Sequence, residues 1–458
     1  MREPFEYEGF TDTRTELGQV IVGKDSCPES LVVADLDGDG FGDLVAIESP
    51  GYDYESQELV ALHGPTGKIV WRAGKGQLGK RLALSDGVVV VESDDASTLH
   101  GVEARSGRML WSTALPAPIV DDPYGQFGMT WNAPALTDLG THVAFGCEDG
   151  TVHLLEAKTG RLTQSREGRL LEPGHGVPGV AVFLGGDLTE HEIDVWDVTK
   201  NVSILHTHMQ SFAPIGLGLD GTFTVFFADT LPTGAVMTRA VAIDLATKQR
   251  KKDVWVTAGR DNVVPHNGLS CDAHRLAVLP GDRLVVASDD GERGGGIVID
   301  LNAKPAATKP PSVIPSSRMP PPQKGYVLRL LESFPTTVVA IWEHEKSHTL
   351  MAIGLDRTSL EPRWFIGDAG GVDLRNHALR TDAALLLPFA PHHSLHHGAD
   401  KPVSWCHVDP ATGARVAHYA VRELDCVRIC GKYLLSHSTS FPGRAPIVWD
   451  TERRERLL

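Results

Sequence analysis

The 458-residue sequence lacks the patterns that build helices and membrane spans. No window shows sustained apolar spacing of 3.6 residues, which argues against a helical fold. No stretch approaches the ~18 apolar residues of a transmembrane helix, so we expect no membrane span. The N-terminus also lacks the apolar segment and small-residue cleavage site of a signal peptide. These absences predict a cytoplasmic protein.

Basic residues and cysteines are also scarce. The chain has 43 Lys and Arg against 59 Asp and Glu, a net charge of −16. A nucleic-acid-binding protein needs a basic face, so we expect no nucleic-acid partner. The six cysteines are scattered, and Cys426 and Cys430 would lie about 13 Å apart in a strand, too far for a disulfide. Buried thiols in a reducing compartment are the preferred interpretation.

What the sequence does contain is a repeated hairpin. Residues 58–71, ELVALHGPTGKIVW, combine a strand, a Pro-Thr-Gly turn and a second strand that ends in Trp. Variants of this segment begin near residues 98, 151, 193, 240, 296, 351, 405 and 447. Asp-Gly pairs between apolar runs, such as Asp86-Gly87, indicate additional tight hairpins. A repeated all-β array that closes on itself is a β-propeller, so the sequence predicts a single propeller domain over residues 1–458.

The number of blades is ambiguous in the sequence. The hairpin occurs nine times, whereas propellers typically have four to eight blades. The fourth hairpin is the weakest, because Thr199-Lys200 stands where Thr-Gly is expected. We therefore predict eight four-stranded blades, with seven as the alternative, and residues 165–210 shared with a neighbouring blade or inserted.

Two segments fall outside the repeats. Residues 1–22 contain one candidate strand, 18–22, and the C-terminal TERRERLL is highly charged. The N-terminal strand is therefore predicted to close the ring by pairing in the blade that contains residues 446–450. Residues 303–325 hold seven prolines. Because proline cannot donate to a β-ladder, we predict an exposed surface loop there, with a partner-binding extended segment as the alternative.

The first repeats resemble the quinoprotein-type, or PQQ-like, β-propeller repeat, which reads Ala-x-Asp-x-x-Thr-Gly-x-x-x-Trp. The matching residues are Ala61, Thr66, Gly67 and Trp71 in the first repeat and Ser106, Gly107 and Trp111 in the second. His63 stands where the family has an acid. In this motif Gly supplies a positive φ, Thr bonds within the turn, and Trp packs against the next blade. Trp255 and Trp364 are candidates for the same role with shifted spacing.

The resemblance implies a fold and no particular reaction. The repeat occurs in alcohol dehydrogenases that use pyrroloquinoline quinone, in outer-membrane assembly scaffolds and in sensor regions of kinases. The dehydrogenases carry a signal peptide and a vicinal Cys-Cys pair, which are not evident here. We therefore predict a non-catalytic scaffold or regulatory subunit with a protein partner and no dehydrogenase activity. The alternatives are a quinone-dependent dehydrogenase or hydrolase acting in the axial funnel, and a sensor of small ligands or glycans.

One loop has the composition of a metal site. Asp35, Asp37, Asp39 and Asp43 stand at positions 1, 3, 5 and 9, Phe41 offers a carbonyl at position 7, and glycines at 38, 40 and 42 let the chain wrap tightly. A helical calcium hand would need Glu at position 12, which is Ala46, and the flanking segments are strands. The loop resembles the calcium loop of FG-GAP propeller repeats, as in integrin α-subunits. That resemblance implies a calcium ion bound by Asp35, Asp37, Asp39, Phe41 and Asp43; the alternative is an acidic turn that has lost its ion.

Two other clusters are weaker candidates. His392, His393, His396 and His397 could hold zinc or copper, but no acid or Cys completes the set, which favours a solvated loop. The segment 291–296 resembles a phosphate cradle, but no helix follows it, so a flexible hairpin tip is preferred. No nucleophile elbow or HExxH motif is evident.

Overall fold

The computed structural model describes about two thirds of the chain, in segments that alternate with gaps. These residues are 31–48, 57–119 without 75 and 77, 136–171 without 168, 179–186, 191–209, 215–217, 221–230, 236–257, 276–287, 295–304, 313–369 without 348, 381, 384–389, 402–422, 425–438 and 447–457. Within these segments the regular structure consists of β-strands. No helix in the described part is long and apolar enough to cross a membrane.

The strands form sheets of neighbours in chain order, and each sheet is one blade. Blade 1 has β1 (Leu31–Ala34), β2 (Asp43–Glu48), β3 (Glu58–Leu62) and β4 (Ile69–Ala73). Blade 2 has β5 (Leu78–Ser85), β6 (Val88–Ser93), β7 (Thr98–Glu103) and β8 (Met109–Ala114). Blade 3 has β9 (Leu136–Asp138), β10 (His142–Gly146), β11 (Thr151–Glu156) and β12 (Leu162–Glu167). Blade 4 has β13 (Arg169–Leu171), β14 (Val180–Gly186), β15 (His191–Asp197) and β16 (Val202–Met209).

The remaining blades follow the same plan. Blade 5 has β17 (Ile215–Leu217), β18 (Thr222–Thr230), β19 (Val236–Asp244) and β20 (Gln249–Thr257). Blade 6 has β21 (Leu276–Leu279), β22 (Arg283–Ala287), β23 (Gly296–Asp300) and β24 (Val313–Met319). Blade 7 has β25 (Tyr326–Ser333), β26 (Thr337–His344), β27 (Leu350–Asp356) and β28 (Pro362–Ala369). Blade 8 has β29 (Leu385–Phe389), β30 (Pro402–Val408) and β31 (Arg415–Arg422) among its described residues, and blade 9 has β32 (Asp425–Cys430), β33 (Tyr433–Ser438), β34 (Ile447–Asp450) and β35 (Glu455–Arg456).

The all-β propeller is confirmed, but the predicted blade number is wrong. The described residues form nine blades, not eight or seven. The fourth hairpin forms a blade of its own, so residues 165–210 are not shared with a neighbour. Asn201 has a φ of 57° at the position that Gly67 occupies in blade 1, and Asn tolerates this left-handed conformation better than most residues. The missing glycine therefore did not remove the turn.

Burial differs between the inner and outer strands of a blade. The second strands β2 and β6 are buried along their whole length, because neighbouring blades cover both faces. The outer strand β8 is exposed or half-buried throughout. Continuous apolar runs such as VVVV in β6 follow from two covered faces, as they do in any sheet packed on both sides. The Asp86-Gly87 turn that precedes β6 has φ values of 48° and 77°, as a two-residue hairpin requires.

Tryptophan packing between blades confirms the role predicted from the repeat. The Trp71 indole donates to the Ala104 carbonyl in the turn of blade 2 at 2.9 Å. A Cβ on Gly107 in that turn would lie 2.7 Å from the Trp71 ring. Trp111 and Trp364 make the same hydrogen bond to Ala157 and Pro410 of the following blades, so the spacing at Trp364 is not shifted. Trp255 instead lies near the Arg239 guanidinium of its own blade, 5.5 Å from the ring centroid.

The last blade packs directly on the first. Leu31, Val33 and Leu44 of blade 1 share one apolar cluster with Leu435 and Val448 of blade 9. Blade 9 already contains four strands in the described part of the chain, and the charged C-terminal segment supplies the outermost one, Glu455–Arg456. The candidate N-terminal strand 18–22 lies outside the described residues, so its pairing remains a prediction.

Part of the Pro-rich segment differs from the prediction of a surface loop. Val313–Met319 form β24, which pairs antiparallel with β23 and parallel with β20 of blade 5. Blades 5 and 6 are therefore joined into one eight-stranded sheet. Pro315 fits because it lies near the end of the short parallel ladder, opposite Thr257, where a missing donor removes little pairing.

Candidate metal centre

The acidic loop connects β1 to β2 at one end of blade 1. Gly38 and Gly40 both have a φ of 86°, a left-handed conformation that lets the chain wrap tightly, as predicted for these two glycines. Gly42 has a different role. A Cβ there would lie 2.6 Å from the Tyr433 ring of blade 9, and a Cβ on Gly64 would lie 1.9 Å from the Gly42 carbonyl oxygen. Glycine at 42 and 64 thus lets three parts of the chain approach closely: the acidic loop, the turn after β3 and Tyr433 of blade 9.

Backbone N–H groups orient the carboxylates of the loop. Asp35 accepts hydrogen bonds from Gly38 at 2.7 Å and from Gly40 at 2.9 Å, one on each oxygen. Asp43 accepts from Leu36 at 3.1 Å and from Gly64 at 2.9 Å in the same way. Each carboxylate oxygen has a second lone pair. These carboxylates are therefore held in place and still have acceptor capacity for a cation.

The loop brings three of the four predicted carboxylates together. Single oxygens of Asp35, Asp37 and Asp43 lie within 4.8 Å of one another. Oxygen ligands at 2.3–2.6 Å from a calcium ion are separated by distances of this order, so this all-oxygen group fits a hard cation. Asp39 belongs to a second group, with Asp37 and His63, that meets the same distance limit.

The acids of the loop differ in their electrostatic surroundings. Asp43 is only 2% exposed, and burial raises its pKa although Gly64 and Leu36 donate to it. The hydrogen bond from the Phe41 backbone, at 2.8 Å, lowers the pKa of Asp39. The deepest carboxylate is thus the one that most needs a compensating positive charge.

His63 is a site residue that the sequence motifs do not indicate. Its Nδ1 lies 2.9 Å from the Thr66 hydroxyl, and its Nε2 lies 3.1 Å from Asp39 Oδ2 and 4.0 Å from Asp37 Oδ2. The equivalent position in the other eight blades is acidic: Glu103, Glu156, Asp197, Asp244, Asp300, Asp356, Asp409 and Asp450. An acid at 63 would face the carboxylates of the loop. The replacement of the repeat's acid by His63 is the feature of the sequence from which this role could have been predicted.

Blade 9 contacts the same loop from the other side. Arg453 donates to the Gly40 carbonyl at 3.0 Å, and its guanidinium carbon lies 3.6 Å from the centroid of the Phe41 ring. Lys432 reaches the same carbonyl at 3.5 Å and the buried Asp450 at 3.2 Å. The acidic loop therefore lies at the joint between the first and the last blade.

The other predicted sites give no second centre in the described chain. The histidines at 392–397 and the glycines at 291–294 lie outside the described residues. Cys426 and Cys430 lie on one strand, as predicted. Burial raises the pKa of the Cys147 and Cys406 thiols to about 11, which leaves both unreactive near neutral pH.

Two Ser–His pairs were not predicted. His100 lies 2.8 Å from Ser112, and His153 lies 2.8 Å from Ser165. Both pairs join directly opposite residues of a third and a fourth strand. Their recurrence at the same place in blades 2 and 3 is typical of a repeat contact and not of a single nucleophilic site.

Sequence comparison identifies the repeat. A family model described as "Outer membrane protein assembly factor BamB" matches residues 55–247, which is less than half of the chain. Over these residues the repeats are PQQ-like in sequence. No curated protein sequence matches the chain.

Solved structures with a similar fold are distant. They include dihydro-heme d1 dehydrogenase NirN (13% identity, 87% of this chain and 74% of that chain, TM-score 0.41). They also include the quinohemoprotein alcohol dehydrogenase of Comamonas testosteroni (11%, 89% and 72%, TM-score 0.39) and a eukaryotic initiation factor (12%, 88% and 93%, TM-score 0.49). Likeness at this level carries no argument about activity.

Proposed function

We propose that the protein is a non-catalytic β-propeller that acts as a protein-interaction scaffold or regulatory subunit and binds one calcium ion in its acidic loop. The supporting observation for a scaffold is a set of large apolar side chains left in water. Four of these exposed residues lie on the outer strands of two adjacent blades: Ile69, Val70, Met109 and Leu110. Contiguous exposed apolar surface is typical of protein-binding sites.

Two observations favour a scaffold over an enzyme. The Ser–His pairs repeat between blades, and the buried thiols have raised pKa values, so none of these groups in the described chain has the surroundings of an activated nucleophile. The partial family match is to proteins described as an assembly factor, which is a non-enzymatic role of the same kind.

Calcium binding is supported by the donor set. Asp35, Asp37 and Asp43 would hold the ion, with Asp39 and the Phe41 carbonyl completing the set that the FG-GAP resemblance implies. The ion would supply the positive charge that the buried Asp43 needs and would remove repulsion among the carboxylates. For the cytoplasmic location that the sequence predicts, the site has to be tight, because free calcium is low there.

Thermal unfolding tests the calcium proposal. A ligand that binds only the folded state stabilises it by about 2.7 kcal/mol at one hundred times its dissociation constant. We expect chelation to lower the melting temperature by several degrees, and Asp37→Ala to lower it similarly and to abolish the response to chelator. Asp94→Ala, an exposed acid in blade 2, serves as the control and should respond like the wild type. An unchanged melting temperature on chelation, with no ion between Asp35 and Asp43 in an experimental map, would identify the loop as an acidic turn.

The scaffold is tested against the dehydrogenase alternative with purified protein. We expect no reduction of an electron acceptor when pyrroloquinoline quinone, calcium and common alcohols or aldoses are supplied. We also expect one protein to be retained on the tagged propeller, and the propeller to be retained on that protein when the tag is exchanged. Quinone-dependent turnover, or failure of the reciprocal retention, would count against a scaffold.

A further inference from the structure

The outer edge of blades 1 and 2 carries apolar and basic residues in alternation. We define the rim patch as the apolar pairs Ile69–Val70 and Met109–Leu110 together with Arg105 and Arg108. All six residues are exposed. The Trp71 indole donates a hydrogen bond to the turn of blade 2. That turn, which contains the two arginines, therefore lies against β4 of blade 1. The two apolar pairs therefore flank the arginines along one continuous rim.

The fold itself does not require apolar residues in this place. Val70 and Leu110 are the extra residues of a β-bulge, because the register passes from Trp71 to Ile69 and from Trp111 to Met109 without them. The same bulge in blades 3, 5 and 7 carries Thr163, Lys251 and Arg363. Blades 4 and 8 place Ile204 and Val416 at this bulge, but both of those side chains are half-buried. Polar or charged residues thus satisfy the bulge in three blades, and among the described bulges only Val70 and Leu110 leave an apolar residue exposed.

The charge of the rim patch contrasts with that of the chain. The protein carries a net charge of −16, whereas the patch contributes two arginines, and the exposed Lys68 precedes it. Arg108 has one acidic neighbour, Glu103, at 3.5 Å, and its side chain remains 69% exposed. A surface with apolar anchors and local positive charge complements an acidic segment that has apolar side chains.

The edge of β8 suits an extended partner. In the described part of the chain no strand pairs with the outer edge of β4 or β8. The molecule already shows strand addition at an equivalent edge, since β24 pairs in parallel with Trp255–Thr257 of β20, beyond the bulge in that strand. An exposed edge with apolar side chains is a template for adding a strand from another chain.

We infer that the rim patch binds an extended, acidic segment with apolar anchors from a partner protein, which adds as a strand along the outer edge of blade 2. This inference rests on the proposed scaffold function and names its binding surface. An anionic membrane would offer the same charges, but the net charge of −16 opposes approach to it, so a protein partner is favoured.

A random 16-residue peptide library displayed on phage is the probe. Selection on the purified propeller should enrich peptides that are rich in Asp and Glu and contain Leu, Ile, Val or Phe. We expect synthetic copies to bind at least tenfold more weakly to the double variant Val70→Asp/Leu110→Asp and to Arg105→Glu/Arg108→Glu. Phe365→Asp, which alters an exposed apolar residue in blade 7, is the matched control and should bind like the wild type. Because all these side chains are exposed, melting temperatures should be unchanged.

The outcomes separate the inference from the proposed function. The rim patch would be overturned if the selection enriched no peptide or enriched basic peptides. It would also be overturned if the enriched peptides bound the rim variants as well as the wild type. Rim-dependent flotation with phosphatidylglycerol vesicles, without acidic peptide binding, would overturn it in favour of a membrane. If reciprocal retention of a protein partner survives Val70→Asp/Leu110→Asp, the scaffold stands and the rim patch is wrong. If that retention never occurs, the scaffold itself fails.

Discussion

At the scale of single residues, His63 shows how one substitution adapts a repeat to a local site. In the other blades an acid accepts hydrogen bonds within the turn, as Glu156 does from the Thr159 hydroxyl at 2.6 Å. His63 bonds Thr66 with one ring nitrogen and Asp39 with the other. A neutral or positive imidazole can thus serve the turn without repelling the acidic loop, which a carboxylate cannot do.

Replacing His63 by an acid should therefore increase dependence on calcium. At 4 Å two like charges repel by about 1 kcal/mol in water-like surroundings, and Asp37 and Asp39 both lie near this position. We expect His63→Asp to lower the calcium-free melting temperature and to enlarge the shift that calcium produces. Glu103→His, the reverse change in blade 2, should leave the calcium response unaltered. An identical response in His63→Asp and the wild type would contradict this role for His63.

Two glycines with similar backbone angles test the tryptophan contact between blades. Gly87 and Gly107 have φ values of 77° and 73°, so alanine at either is strained by roughly 1–2 kcal/mol. Only at Gly107 would the new methyl group meet a ring, that of Trp71, and such overpacking costs roughly 1–3 kcal/mol more. We expect a lower urea midpoint for Gly107→Ala than for Gly87→Ala. Equal urea midpoints would mean that Trp71 can move away from the new methyl group without a loss of stability.

At the scale of the element, the turn between the third and fourth strands is the unit that repeats most faithfully. An acid or His63 begins it, and in eight of the nine blades a residue with positive φ stands four positions later, for example Gly67, Lys248, Leu360 and Arg454. The last backbone N–H of the turn returns to its first carbonyl, as Leu360 does to Asp356 at 2.8 Å. The acid holds the turn in this conformation even where no glycine is present.

These acids should make stability sensitive to low pH. Hydrogen bonds from the Ser359 and Thr358 backbone and from Arg363 lower the pKa of Asp356 to about 2. Burial raises the pKa of Asp197, but bonds from Lys248 and Thr199 outweigh it and bring the pKa to about 2. An unfolded Asp titrates near 3.9, so this stabilisation is present above about pH 4 and is lost as pH falls toward 2. We expect a shallower loss of stability between pH 4 and 2 for Asp356→Asn, measured by urea unfolding; Asp94→Asn is the control and should follow the wild type.

The turn also shows what could and could not be predicted from the sequence. Where Thr-Gly and Trp are both present, as at Gly67 and Trp71, the hairpin and its packing follow from local chemistry. The turns that contain Asn201 and Leu360 are harder to predict, because a non-glycine residue at positive φ has no clear sequence signal. The predicted number of blades is wrong for that reason, and because nine blades exceed the usual range of four to eight although the sequence contains nine hairpins. The contact of Arg453 with Gly40 spans 413 positions, and no local pattern encodes it.

At the scale of the whole molecule, the joints between blades are chemically different. Trp71, Trp111 and Trp364 pack across three of them. The joint of blades 4 and 5 uses an ion pair instead, Lys248 to the buried Asp197 at 2.8 Å. The joint of blades 9 and 1 is the one where the candidate calcium loop lies. The ring is thus closed by polar contacts added to an apolar cluster.

Hydrogen exchange should reveal whether this closure depends on calcium. We expect chelation to speed exchange of amides in β1 and β2 and also in β33 and β34 across the joint, while β21–β23 remain unchanged. Arg453→Ala should remove the effect on blade 9 but leave the effect on blade 1, because Arg453 links the two through Gly40 and Phe41. Uniform change around the ring, or none in blade 9, would contradict the coupling.

The strand β24 limits how the ring can be rearranged. Among the described residues no two blades except 5 and 6 share a sheet. New chain ends made between two blades that share none would therefore cut one loop and leave all strand pairing intact. Blades 5 and 6 share backbone hydrogen bonds between β20 and β24, and β24 is reached from β23 through the Pro-rich segment. In a circularly permuted chain whose ends lie within 303–312, β24 would come near the new N-terminus. The other three strands of its blade, β21 to β23, would come near the new C-terminus. Exchanging or deleting either of these two blades alone would therefore break strand pairing with the other, and we expect the chain to tolerate such a change only when both blades are moved together.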